Sequence, residues 1–308
     1  MLKYIIKRVG AAIFTLFVTI TVTFFLMNAV PGNPFMSEKK VSDEVQAQLN
    51  KKYGLDVPLH VQYVNYLKNL AKGDLGISFT CYKDTPVTEL IAEKFPVSAK
   101  LGLCAVILAI LIGVPLGCIA AFYNGKLPDN IIRVTSTLGI AVPSFVVASL
   151  LLSILACIFK VFPVLFSIDN TASSILPIIT LSLYPACYIT RLMRSSMLDA
   201  MGQDYIRTAK AKGMSTFSII FKHALRNSLI PIITYLGPMI AGVLTGAFVV
   251  ENIFTIPGMG LTFVNSISSR DYNIIMGTTV FLAALIILMN LVCDILYKIV
   301  DPRITLDE

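Results

Sequence analysis

The feature that most constrains this chain is its series of long apolar runs almost free of charge, the first of which is Val9–Val30. In hydrocarbon every backbone N–H and C=O needs an internal partner, which leaves only helices and closed barrels. Runs near 20 apolar residues without a two-residue alternation select helices. Composition agrees: 56% of the residues are hydrophobic, 14% are charged and the mean hydropathy is +0.78. A soluble domain of this length would be roughly a quarter charged. The chain is expected to be an all-α polytopic membrane protein.

Six transmembrane helices are expected. Val9–Val30 follows Lys3, Lys7 and Arg8 and stops at Pro31-Gly32-Asn33-Pro34. A cleaved signal would have that order, but its apolar core is only about 7–15 residues long, so this run is read as a retained span. Leu101–Tyr123, Val134–Phe159, Ile175–Ile189 with its continuation past Arg191 and Arg194, Ile232–Val250 and Ile274–Leu296 follow. Pro143, Pro177 and Pro185 read as ordinary kinks. Gly113-x-x-x-Gly117 and Gly242-x-x-x-Gly246 permit close helix approach.

Six spans put both termini on one side, and charge decides which. The N-terminus, 124–133, 190–231 and the C-terminus hold fourteen Lys and Arg, whereas the short opposite loops hold only Lys160 and Arg270. Positive loops stay inside, so both termini are expected in the cytoplasm and the loop of residues 31–100 outside. The net charge of +7 is thus an orientation signal, and no nucleic-acid partner is expected. Three divisions result: 1–30, cytoplasmic N-terminus and first span; 31–100, external helical loop; and 101–308, a five-span core containing the cytoplasmic loop 190–231.

The external loop carries three apolar stripes. Val41, Val45, Leu49 and Tyr53 mark one helix. Pro58 at a first helical position and Gly73 past the end bracket another, with Leu59, Tyr63, Tyr66, Leu67 and Leu70 inside. Thr85-Pro86 opens a third with Val87, Leu90, Ile91 and Phe95, which Pro96 should stop, leaving it flat on the membrane surface. Gly73–Ser78 is turn chemistry.

The stretch Asp204–Pro231, DYIRTAKAKGMSTFSIIFKHALRNSLIP, is different in kind. Asp204 is placed to cap a helix over Tyr205–Lys212, and Gly213 to end it in a left-handed conformation. A second helix from about Ser215 carries Phe217, Ile220, Phe221, Ala224 and Leu225 as one stripe. Held between two spans, such a helix can grip a soluble partner and pass its motion on.

Chemistry of the chain's own is not evident. No G-x-x-x-x-G-K-[ST] occurs, so no nucleotide site of that type is expected. No acid or His lies mid-span, where a proton- or sodium-driven carrier usually needs one. His60 and His223 are too far apart to share a site, and no catalytic residue, metal site or cofactor is expected. Of the six cysteines, five lie in or beside spans as small packing residues, and Cys81 stands alone in the external loop. Arg191 and Arg194 read as inside-positive anchors.

The Asp204–Pro231 stretch resembles the cytoplasmic loop of integral-membrane subunits of bacterial ABC importers, E-A-A-x3-G-x9-I-x-L-P. Anchored on Gly213, it is matched by Ala209, Gly213 and Leu225, while Arg207, Thr208, His223 and Arg226 depart from it. RTAKAKG…FKHAL is similar to the variant in permeases for dipeptides, oligopeptides and nickel. Tyr53–Phe79, Val142–Phe145, Ile256–Gly260, Arg270–Tyr272 and Val300–Ile304 also resemble that group. The resemblance implies a permease of the bacterial plasma membrane that imports peptides and does not itself hydrolyse ATP. It further implies two cytoplasmic ATPases, a second related permease and an external binding protein. Arg207, Thr208, Ala209, Gly213, Phe217, Ile220, Phe221 and Leu225 would form the ATPase-coupling loop. Nickel or metal-chelate import by the same architecture is the alternative. A membrane scaffold or sensor is more distant, lacking a visible catalytic cluster or soluble domain.

Overall fold

The computed structural model describes residues 2–29, 43–215, 218–245 and 248–300. Among them helices dominate, and the only β feature is one isolated bridge between Ile77 and Pro86. The helices are α1 (Leu2–Ala29), α2 (Asp43–Lys52), α3 (Leu59–Ala71), α4 (Val87–Phe122), α5 (Leu127–Ala141), α6 (Ser144–Leu151), α7 (Ile175–Met201), α8 (Asp204–Ala211), α9 (Leu225–Ser228), α10 (Ile230–Thr245), α11 (Phe248–Ile253), α12 (Met259–Ser268) and α13 (Tyr272–Val300). Four helical stretches are long and apolar enough to cross a membrane: Ile6–Ala29, Val87–Phe122, Thr171–Met201 and Tyr272–Val292. A fifth candidate is the bent pair Leu127–Ala141 and Ser144–Ile158. The expected span Ile232–Val250 is helical over α10 and the start of α11, with residues 246–247 outside the described set. Two compact units result: Met1–Ser98 with Pro257–Ile287, and Ala99–Ile256 with Leu288–Glu308.

In the first unit, α1 buries Ile20 and Phe24 against Met276 and Val280 of α13, and Tyr63, Tyr66, Leu67 and Leu70 of α3 complete the cluster. The stripe foreseen on α3 is therefore partly covered by the chain's own helices: Tyr63, Tyr66, Leu67 and Leu70 are half-buried and Leu59 is exposed. Pro58 sits at the N-cap rather than inside the first turn. At the other end Gly73 (φ +80°) donates to the Leu70 carbonyl and Asp74 to that of Asn69, the paired bonds of a left-handed C-terminal cap. In the first stripe, Val41 lies outside the described residues, Val45 is exposed, and Tyr53 packs on Phe79 with ring centroids 4.7 Å apart. Lys52 and Tyr53 both donate to Asp84, at 2.8 and 2.9 Å. The Lys52 ammonium, then the Tyr53 hydroxyl, hold the Asp84 carboxyl below its ordinary range.

The third expected helix of this loop is not a separate surface helix. It is the first part of α4, which runs through Pro96 without a stop. Val87, Leu90 and Ile91 are buried on Met259 and Ile274, and Phe95 meets Phe281 edge to face at 4.9 Å. A proline inside a helix costs about 3 kcal/mol. Burying three aliphatic side chains at about 1.5–3 kcal/mol each outweighs that, so the helix continues.

Asp271 organises the same unit. It is fully buried, and its Oδ2 accepts from Ser78 Oγ (2.7 Å) and from the backbone N–H groups of Phe79 (2.9 Å), Thr80 (2.8 Å) and Cys81 (3.1 Å). A carboxylate 190 residues away in sequence thus satisfies a whole turn of backbone donors. Nearby, Asn273 Nδ2 donates to the Ile77 carbonyl at 2.8 Å.

In the second unit, Gly113 and Gly117 let α4 lie directly on α7. A Cβ at Gly117 would come 2.5 Å from Met193 Cβ and 2.7 Å from the Thr190 carbonyl, and one at Gly113 would come 2.8 Å from the Ala186 carbonyl. The span foreseen over Val134–Phe159 is not continuous. It breaks at Val142-Pro143 with a 99° bend, so Pro143 is a corner rather than a mild kink. Proline and its restricted predecessor both leave helical geometry at this dipeptide: Val142 has ψ 123° and Pro143 ψ 140°. Pro185 stays within α7.

Candidate functional site

The segment linking α7 to α10 folds as two short helical pieces around Gly213. Asp204 is the first residue of α8 rather than its cap; Gln203 holds that place and makes no side-chain cap. Asp204 instead accepts from Arg207 at 3.3 Å, both side chains being exposed. Thr208 Oγ1 donates to the Asp204 carbonyl at 3.0 Å. Gly213 has φ +72°, as the pattern requires: its N–H meets the Lys210 carbonyl (3.0 Å) and that of Met214 the Ala209 carbonyl (3.3 Å). A Cβ on Gly213 would meet nothing within 4 Å, so backbone strain rather than crowding selects glycine there.

Beyond Gly213 the chain winds as a π-helical turn, Ile219–Ala224, before α9. Wider turns of this type are rare and concentrate where a helix must change its register. Ile206, Ala209, Ile219 and Ala224 are all buried with Met193, Met197 and Ala200 of α7, and Ile220 and Leu225 pack against that cluster. Ser228 Oγ donates to the Ser196 carbonyl at 3.1 Å, and Asn227 donates to the Tyr205 hydroxyl at 3.0 Å. The loop is therefore rooted in the C-terminal half of α7.

Of the eight expected coupling residues, three face this root: Ala209, Ile220 and Leu225. Arg207, Thr208 and Gly213 face out, together with Lys210, Lys212 and Arg226. Phe217 and the side chain of Phe221 lie outside the described residues. The stripe expected to grip a partner is, for Ile220, Ala224 and Leu225, turned onto the chain's own core, and among the described side chains Arg207, Thr208, Lys210, Lys212 and Arg226 are outward and polar or basic. His223 Nε2 is buried without a hydrogen-bond partner.

A second element was missed by reading Arg194 as a charge anchor. Arg194 makes two bonds to Asp129, Nε to Oδ1 at 2.6 Å and a terminal nitrogen to Oδ2 at 2.8 Å, and a third to Asn124 Oδ1 at 2.9 Å. Asp129 also accepts from Gly125 N–H at 2.8 Å and is 1% exposed. The forked guanidinium matches a carboxylate in a way Lys does not. This clamp ties the α4–α5 turn to α7 just before the segment around Gly213. The signal available in sequence was an isolated Asp in the first turn of a basic loop, which says nothing of its partner.

Similarity to known proteins accords with this arrangement. Residues 113–306 match the family described as the binding-protein-dependent transport system inner membrane component, and residues 1–102 match its N-terminal component. The chain is 47% identical over 305 residues to the oligopeptide transport system permease protein OppB of Haemophilus influenzae, covering 99% of each. It is 45% identical over 308 residues to the dipeptide transport system permease protein DppB of Bacillus subtilis, covering 100% of this chain and 99% of that one. A chain of the MetNI methionine ABC transporter, solved in inward-facing conformations, superposes with a TM-score of 0.56 at 15% identity. It covers 69% of this chain and 97% of its own, a likeness of fold. With both parts of the family pattern matched along a chain whose long apolar helices frame a rooted helix–Gly–helix segment, this protein belongs to the binding-protein-dependent transport system inner membrane components.

Proposed function

We propose that this chain is a permease subunit of an ATP-driven peptide importer in the bacterial plasma membrane. The observation that carries the proposal is near-complete coverage at 47% and 45% identity by permeases of oligopeptide and dipeptide transport systems. The chain lines a route and transmits motion; ATP hydrolysis belongs to two cytoplasmic ATPase subunits. A second related permease and an external binding protein complete the assembly. Six spans, cytoplasmic termini and an external loop over residues 31–100 fit the charge distribution.

Within this reading the coupling segment has two halves. Ala209, Ile220 and Leu225 root it in α7, which supports transmission through a stiff connection. Arg207, Thr208 and Gly213, with Phe217 and Phe221, form the part an ATPase grips. The two short helices and the glycine between them then move α7 and α10 together, because both are continuous with the segment.

The test is reconstitution of the complete importer in liposomes with labelled peptides and, separately, with nickel. ATP-dependent accumulation of di- to pentapeptides is expected. Accumulation of nickel or a nickel chelate without peptide would move the chain to the alternative cargo, and ATP hydrolysis by this chain alone would overturn the division of labour.

A further inference from the structure

We propose that a cavity at the α5–α6 break is a cargo site that recognises peptide main chain; this rests on the reading of the protein as a peptide permease. The cavity, about 660 Å³, lies within the second unit and is lined by α5, α6, α7 and α10. Three prolines from three places in the chain converge on it: Pro143 at the break, Pro185 in α7 and Pro238 in α10. Each lacks the N–H that would bond the carbonyl four residues earlier, at Gly139, Leu181 and Thr234. Leu181 itself lines the cavity, as do the rings of Tyr184 and Tyr235.

Depth makes this arrangement informative. The break follows residues 134–141 of α5, which lie beyond the expected cytoplasmic loop 124–133; at 1.5 Å per residue that is about 12 Å along the helix, inside the roughly 30 Å hydrocarbon thickness. Residues Ala141–Ser144 are exposed there, and Tyr184 is 47% exposed. Lipid does not tolerate non-helical backbone at that depth; such backbone faces a water-filled route or other protein. Of the three residues whose carbonyls a proline leaves without that bond, Leu181 is at the cavity, beside the phenols of Tyr184 and Tyr235, whose hydroxyls can donate and accept. None of its lining residues is Asp, Glu, Lys, Arg, His or Cys. A lining of this kind selects neither a side-chain charge nor a metal ion. It suits the one feature all peptides share, the amide N–H and C=O. Tyr188 and Tyr235 stack at 4.3 Å and Tyr184 and Tyr188 at 6.4 Å, extending an aromatic ladder along which side chains of any kind can slide.

The experiment uses the complete importer in liposomes, built on a cysteine-free form of this chain carrying Ser144→Cys or Gly242→Cys, with the exposed Leu165→Cys as control. Labelling by a small uncharged maleimide is followed during ATP-driven import of trialanine and of trialanine methylated on its amide nitrogens. Trialanine is expected to slow labelling at 144 and 242 at least 5-fold and at 165 not at all. The methylated analogue, or Tyr184→Phe combined with Tyr235→Phe, should remove most of that protection. Import of trialanine with unchanged labelling overturns the site and leaves the permease reading standing. Cysteines at 144 and 242 that stay unreactive in every state mean the partner permease covers this face, and also overturn it. Equal protection by the methylated peptide overturns main-chain recognition. A complex that hydrolyses ATP but imports no peptide removes the permease reading and this site with it.

Discussion

At the scale of single residues, two buried carboxylates have consequences out of proportion to their number. Asp129, 1% exposed, meets Arg194 in a forked pair whose guanidinium keeps some solvent contact. Removing one partner leaves the other charge desolvated and unpaired, at a cost of about 3–5 kcal/mol for a buried pair. Arg194 is 20% exposed, which puts this pair at the lower end. Arg194→Ala is therefore expected to lower the thermal unfolding midpoint of the purified chain and to free the α4–α5 turn, read as faster thiol labelling of a cysteine placed at Asn124. Arg194→Lys should rescue only part of both, since a single ammonium cannot make the same two bonds. Unchanged midpoints in both variants would show the clamp to be idle. Asp271 acts on backbone. Asp271→Ala leaves the N–H groups of Phe79, Thr80 and Cys81 without their acceptor. Each such group costs about 1–3 kcal/mol when left unmade. Amide exchange at those three residues should accelerate by at least tenfold, while exchange in the core of α7 stays the same.

At the scale of elements, close contact and turn geometry set the tolerances. Gly117 sits where α4 touches Met193 of α7, so Gly117→Val forces either the helices apart or the side chain off its rotamer. Overpacking of this kind costs about 1–3 kcal/mol, and the expected result is a lower yield of folded chain on size-exclusion chromatography. Gly213 is the opposite case, open space around a left-handed backbone. Gly213→Val should strain the turn by roughly 1–2 kcal/mol without unfolding the spans. It is expected to leave membrane abundance unchanged, weaken capture of the ATPases and abolish uptake; normal capture and uptake would mean that coupling runs through the α4–α5 turn. The Lys52–Asp84 contact is a smaller, pH-dependent device. Asp84 is shifted down by its partners, so the contact is intact above the usual carboxylate range and is lost as pH falls through the depressed value. Lys52 is shifted up by Asp84 and Tyr53, so its share is complete below the ordinary lysine range and fades only above it. Across neutral pH the clasp stays closed, and limited proteolysis near Asp84 should increase only in acid.

At the scale of the whole molecule, orientation is the property most open to test. Cysteines introduced at Asn65 and at Lys212 in a cysteine-free chain are expected to label from opposite sides of sealed cells, Asn65 from outside. External labelling at Lys212 would invert the topology. Much of the architecture was legible beforehand because lipid imposes a strong rule: of the foreseen runs, Val9–Val30 is helical as far as Ala29, the last described residue there, Leu101–Tyr123 as far as Phe122, and Ile274–Leu296 throughout. Gly213 and Gly73 were equally legible, since a left-handed cap is a local matter of one missing Cβ. Pro96 and Pro143 show where local rules stop. The same residue type leaves α4 unbroken and turns α5 into α6 through 99°. At Pro96 the neighbouring stripe is buried on α12 and α13, whereas at Pro143 the adjoining residues are exposed.

Periodicity and glycine placement were enough to establish long apolar helices and the outline of the helix–Gly–helix segment around Gly213, because each depends on solvent preference or on backbone freedom within a few residues, while charge asymmetry supplied an expected sidedness. Partners distant in sequence were not readable in that way. Asp271 with Ser78–Cys81, Asp129 with Arg194, and the inward turn of Ile220 and Leu225 depend on which helices lie side by side. The stripe at Phe217–Leu225 was legible as apolar, but only the fold could decide that part of it faces α7, since an apolar face carries no information about which surface will cover it.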